Sequence, residues 1–91
     1  KFSKGNSLNN THQKILAVLF STPPPKGMPR DDIESLFRAI GAKVTEGDGS
    51  RVKFDLDGVT VAFHRPHKPK TARAYQIAIA REFLETIGVK P

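Results

Sequence analysis

The sequence contains no cysteine, no tryptophan and a single methionine. Without cysteine there are no disulfides, no thiolate zinc site and no cysteine nucleophile, which fits a reducing compartment such as the cytoplasm. No apolar run approaches the ~18 residues that a membrane span requires, so an integral membrane protein is not expected. Carboxylates are scarce as well: nine Asp and Glu stand against fifteen Lys and Arg, for a net charge of +6, and none occurs between Gly58 and Ala80. The chain opens on Lys1 rather than Met, which points to a processed piece. Its N-terminus lacks the apolar core of a secretory signal.

What is present suffices for one small domain. Ninety-one residues with 37% apolar content can build one modest core. Residues 1–10 are polar and aperiodic and read as a flexible tail, leaving 11–91 as a single domain. Thr11 can cap a short helix whose Ile15, Leu16, Leu19 and Phe20 recur at helical spacing. Pro23, Pro24 and Pro25 stop it. A second helix follows, with Asp31 or Asp32 at its start, Ile33, Leu36, Phe37 and Ile40 on one stripe, and Gly41 at its close.

The period then changes to two. Residues 42–45 form a candidate strand, and Glu46-Gly47-Asp48-Gly49 a turn. Val52, Phe54 and Leu56 alternate with Arg51, Lys53 and Asp55, the pattern of a strand buried on one face. Asp57-Gly58 is a two-residue hairpin signal, and Val59, Val61 and Phe63 return opposite it. This parity places Arg51, Lys53 and His64 on the face away from the core. Prolines bar residues 64–70 from helix or sheet interior, and a last helix is expected from Thr71 to Ile87, ended by Gly88. The expectation is an α+β fold: a three-stranded antiparallel sheet with helices on one face, in the α-β-β-β-α order of double-stranded-RNA-binding domains, plus an extra N-terminal helix.

Charge is not spread evenly. Residues 51–73 sum to +4, from Arg51, Lys53, Arg65, Lys68, Lys70 and Arg73 against Asp55 and Asp57. Such a block favours a polyanionic partner, although one basic face is also common on small soluble domains. No helix sets a basic face against bulky apolar residues, so a membrane surface is a poor partner.

The Asp32-Ile33…Leu36…Ile40-Gly41 helix precedes the sheet, Gly49-Ser50 heads a strand, and Val59-Thr60-Val61 lies in the next. His64 follows in the basic loop beyond, and near the end comes Phe83-Leu84-Glu85-Thr86-Ile87-Gly88-Val89. In these features residues 30–90 resemble the HicA family of toxins. The resemblance implies a double-stranded-RNA-binding-like fold, cleavage of mRNA and inhibition by a HicB-like antitoxin protein. The sequence departs from the family at one place: its usual motif is Gly-Ser-His, the histidine being taken as catalytic, and Arg51 stands there. Residues 1–29 extend beyond the typical compact toxin.

Metal-independent cleavage of RNA needs a base for the 2′-OH proton, stabilisation of charge on phosphorus, and an acid or solvent for the leaving oxygen. Arginine suits the second task but stays protonated and cannot be the base. Imidazole suits the first. His64 is the best candidate base, with His67 as the other histidine in reach; His12 lies in the first helix, outside the resembling region. His64 as a contact residue without turnover, or as a structural histidine, remains open beside this. Ser50, Arg51, Lys53, Arg65, His67, Lys68, Lys70 and Arg73 are the candidate RNA-binding residues. Lys68, Lys70 and Arg73 surround the expected start of the last helix, where free N–H groups favour phosphate. Lys70-Thr71-Ala72-Arg73 loosely resembles the Lys-x-Ala-Lys pattern of double-stranded-RNA-binding domains.

Other chemistries find less support. His64-x-x-His67 lacks cysteine or acidic partners for a metal, and no cofactor is implied. Gly47-Asp48-Gly49-Ser50 lacks the lysine and following helix of a phosphate-binding loop. Ser50 has no nucleophile-elbow context. Five phenylalanines lie on apolar stripes, leaving Phe2 and Tyr75, too few for a base-stacking platform of the single-strand type. A non-catalytic RNA- or protein-binding module of the same fold is the alternative. DNA binding through the first two helices ranks last, because the triple-proline break is a poor helix-turn-helix connection.

Overall fold

The computed structural model describes residues 9–47, 49–65 and 70–91. The fold is α+β, and the described residues form three helices, one three-stranded antiparallel sheet and one two-stranded antiparallel sheet. The order is α1 (Asn10–Leu19), β1 (Gly27–Pro29), α2 (Arg30–Ala39), β2 (Lys43–Glu46), β3 (Arg51–Leu56), β4 (Val59–His64), β5 (Thr71–Arg73) and α3 (Ala74–Thr86).

The helix ends follow local chemistry. At the head of α1 the N-cap is Asn9 rather than Thr11, its side chain accepting from the His12 N–H at 2.8 Å. Pro29 occupies the N-cap position of α2, and Asp31 and Asp32 fall in the first turn, where carboxylates complement the helix dipole. Both α2 and α3 end as the glycines led one to expect. Gly41 and Gly88 take φ of 99° and 84°. Ala42 N–H returns to the Phe37 carbonyl at 3.0 Å, and Val89 N–H to the Leu84 carbonyl at 2.9 Å. Each closure buries an apolar residue just past the helix, the pattern of a Schellman motif.

The main sheet has the order β2-β3-β4. Asp57 and Gly58 both have positive φ, 53° and 79°, which a two-residue turn of this hand requires, and Leu56 pairs with Val59 across it. The resulting register buries Val52, Phe54, Val61 and Phe63 on one face and leaves Arg51, Lys53, Ala62 and His64 exposed on the other. Phe37 of α2 sits at the centre of the core, its ring centroid 5.1 Å from Phe54, 5.8 Å from Phe63 and 4.9 Å from Phe83 of α3. The helices therefore pack against the buried face.

Two features depart from the expected order. The segment after the prolines forms β1, and residues 71–73 pair with it as β5, with Met28 opposite Ala72. Consequently α3 starts at Ala74, not Thr71. Burial explains the choice: extended pairing places Met28 and Ala72 in the core, and Arg30 N–H continues the ladder to the Lys70 carbonyl at 3.0 Å. Pro29, with no N–H to give, is tolerated at the end of an edge strand.

Candidate functional site

The outer face of the main sheet gathers the cations of β3. Arg51 and His64 are directly opposed across β3 and β4, and Lys53 is opposed to Ala62 on one side and Thr45 on the other. All three charged or titratable side chains point to solvent, because residues two apart on a strand share a face. A shallow groove of about 500 Å³ runs over Thr45, Gly47, Arg51, Lys53 and Ala62. A second groove of about 200 Å³ lies between this face and α3, and Arg51 and Ala62 line both. Among the described residues no carboxylate pairs with Arg51, Lys53, Lys70 or Arg73. Their charge is available to an anion from solvent.

Ser50 ends the turn before β3 and meets the His64 ring. Its Oγ lies 3.4 Å from Nδ1 and 3.5 Å from Nε2. Both separations exceed the ~2.8 Å of a well-formed hydroxyl hydrogen bond, so Ser50 contacts the imidazole without selecting one ring nitrogen. The backbone around it is tightly held: Arg65 N–H donates to the Ser50 carbonyl, at 2.6 Å.

Arg65 is half-buried, and two carboxylates engage its guanidinium. Its Nε and one terminal nitrogen donate to both carboxylate oxygens of Glu34, at 3.0 and 2.8 Å, and its other terminal nitrogen donates to Glu46 at 3.0 Å. Glu34 is buried, and Arg38 and Arg30 approach the same carboxylate at 3.6 and 3.9 Å. Hydrogen bonding to Glu34 raises the Arg65 pKa against the opposing effect of partial burial, with Glu46 adding to the rise. The guanidinium fork expected to reach phosphate here ties the end of β4 to α2 and β2.

Gln76 performs a parallel task at the other side of His64. Its buried carboxamide donates to the His64 carbonyl at 3.1 Å and accepts from the Arg73 N–H at 3.2 Å. One side chain thus joins the end of β4 to the start of α3, and brings the Arg73 backbone within two hydrogen bonds of His64. Arg73 is exposed at the N-cap of α3 in extended conformation. Lys70 is exposed just before β5, and among the described residues no hydrogen bond or ion pair links its side chain to the sheet. His67 and Lys68 lie outside the described residues. His12, set aside from the sequence, has its Nε2 2.8 Å from Ser35 Oγ and serves the α1–α2 contact.

Glu34, Gln76 and Tyr75 were not singled out as site residues by sequence reasoning. Signals existed for the first two: Arg30, Glu34 and Arg38 recur at i, i+4, and Gln76 interrupts the apolar stripe of α3. No protein-family model, curated protein or solved structure matches this chain.

Proposed function

We propose that this chain is a HicA-like toxin: an RNA-binding endoribonuclease acting on mRNA through the outer face of its main sheet, and neutralised by a HicB-like antitoxin. The observation that supports it best is the opposition of Arg51 and His64 on an exposed strand pair, with no carboxylate pairing Arg51 among the described residues. Phosphate bound at Arg51 and Lys53 lies beside the His64 imidazole. His64 takes the 2′-OH proton, the 2′-oxygen forms a bond to phosphorus, and the P–O5′ bond breaks. The leaving oxygen receives a proton from solvent. Arg51 neutralises charge that builds on the non-bridging oxygens, a role its planar fork suits. A double-stranded-RNA-binding-like arrangement of α2, β2, β3, β4 and α3, the antitoxin partner and a cytoplasmic location go with this reading, carried by the resemblance of residues 30–90.

The experiment is incubation of the purified protein with RNA in the presence of a chelator. Cleavage leaving 2′,3′-cyclic phosphate ends, lost in His64→Ala, is the expected result. RNA left equally intact by the wild-type protein and by His64→Ala removes the catalytic half of the proposal.

One observation favours a second reading, a binding module without turnover. The long Ser50–His64 separations leave the imidazole without a well-formed orienting hydrogen bond among the described residues, whereas a general base is ordinarily held by one. On that reading RNA binds with the same salt dependence and is not cut.

A further inference from the structure

Tyr75 and Ile79 stand one turn apart on α3, on one face of the helix. Both remain open to water, with 59% and 36% of their surface exposed, and they are two of the three large exposed apolar side chains among the described residues. The second groove is where they point: they line it together with Ala62, His64 and Arg51. Its volume of about 200 Å³ falls short of the roughly 300–1,000 Å³ of pockets that enclose a drug-sized molecule. Tyr75 and Ile79 give it an apolar wall, Ala62, Phe63 and Gln76 also line it, and Arg51 adds a guanidinium not committed to any carboxylate among the described residues.

We infer that this groove receives one unpaired nucleobase of an RNA single strand, stacked on Tyr75, while the adjoining phosphate sits at Arg51. The inference rests on the RNA-binding reading above and goes further by specifying single-stranded substrate. Three observations support this occupant over a generic apolar ligand. The apolar wall is continuous, through Arg51 and Ala62, with the basic groove that carries Lys53. A tyrosine ring beside a guanidinium that no carboxylate pairs among the described residues matches a base attached to its phosphate. A base in the interior of an A-form duplex is stacked on both faces and cannot present one to a tyrosine, so the groove favours an unpaired base of a loop, bulge or single strand. Two spare aromatics are too few for a single-strand stacking platform, but one base needs only one ring. His64, on the same groove, is then adjacent to the ribose of the docked nucleotide, so the groove selects which phosphodiester meets the histidine.

The test is binding of a short single-stranded RNA bearing 2-aminopurine, and of the same sequence as a duplex, to the wild-type protein, Tyr75→Ala, Tyr75→Phe and Arg51→Ala. Tyr75 is largely exposed, so its replacement leaves folding intact, which thermal unfolding confirms. Stacking on Tyr75 quenches the 2-aminopurine fluorescence. Tyr75→Ala abolishes the quench and weakens single-strand binding about five- to 150-fold, Tyr75→Phe retains both, and duplex binding is the same in all three. Arg51→Ala weakens both forms. If Tyr75→Ala binds and quenches the single strand as the wild type does, while Arg51→Ala still weakens binding, the base-docking inference is overturned and the RNA-binding reading stands. If the wild-type protein binds neither RNA at low salt, both fall.

Discussion

Arg65 donates two hydrogen bonds to Glu34, one to each carboxylate oxygen, from a residue directly after His64 to a buried position on α2. This pair converts what reads in the sequence as part of a basic surface into a brace under the candidate site. Its energetics should be unequal at its two carboxylates. Glu34 is 4% exposed at the side chain and Glu46 65%. Removing a buried partner strands its arginines, whereas a surface pair contributes little. Glu34→Ala is expected to cost about 2–3 kcal/mol, below the value for a fully buried pair because Arg65 keeps contact with water, and Glu46→Ala under about 1 kcal/mol. Urea unfolding measures both, and a larger loss for Glu46→Ala contradicts the assignment.

The raised pKa of Arg65 fixes the sign of its pH dependence. A cation whose folded pKa lies above its unfolded value contributes fully below the unfolded pKa and loses that contribution only as pH rises through the folded one. The difference in stability between the wild-type protein and Arg65→Ala should therefore be constant in its arginine part from neutral to mildly alkaline pH. A difference that decays between those limits would show that the charge of Arg65 is not what holds the brace.

Gln76 offers a sharper test of the architecture around His64. Gln76→Leu keeps the buried volume but removes the donor to the His64 carbonyl and the acceptor for the Arg73 N–H. A loss of roughly 1–3 kcal/mol is expected for two backbone groups deprived of their partner. The NMR signals of His64 and Arg73 should shift more than those of β2, and equal, diffuse shifts throughout would speak against a local tie.

At the hairpin, Gly58 has φ of 79° and open space where a Cβ would be built. The cost of Gly58→Ala is therefore backbone conformation alone, about 1–2 kcal/mol, and Gly58→Asn should lose less, since asparagine tolerates this region better. Thermal unfolding of the two variants gives the order directly.

Much of this arrangement was legible before any coordinates. Strict alternation in Arg51–Leu56 and Val59–His64, with Asp57-Gly58 between them, specified the hairpin and its register, because a slip of one residue would expose Phe54 and Phe63. Gly41 and Gly88 marked the helix ends because only a residue without a side chain takes their φ cheaply. The short pair β1–β5 was not legible: three residues give no period, and Thr71-Ala72-Arg73 turns extended only because Met28, far away in sequence, needs a partner. The fate of Arg65 was hidden for the same reason. Its charge is visible in the sequence, but the carboxylates it meets come from α2 and β2, 31 and 19 residues away. Tyr75 was visible as a spare aromatic, and only the fold reveals that it shares a groove with Arg51 and His64.

The central claim is that the outer sheet face grips the RNA backbone through Arg51 and Lys53 while Arg65 does not take part. Equilibrium binding of a single-stranded RNA, followed across salt concentration, tests it most directly. With about four phosphate contacts the wild-type log–log slope should lie near −3, and the Arg51→Ala/Lys53→Ala double variant should be shallower by about 1.4, from roughly 0.7 per contact. Arg65→Ala should keep the wild-type slope. A wild-type affinity indifferent to salt, or a slope that falls for Arg65→Ala and not for the double variant, would contradict the account.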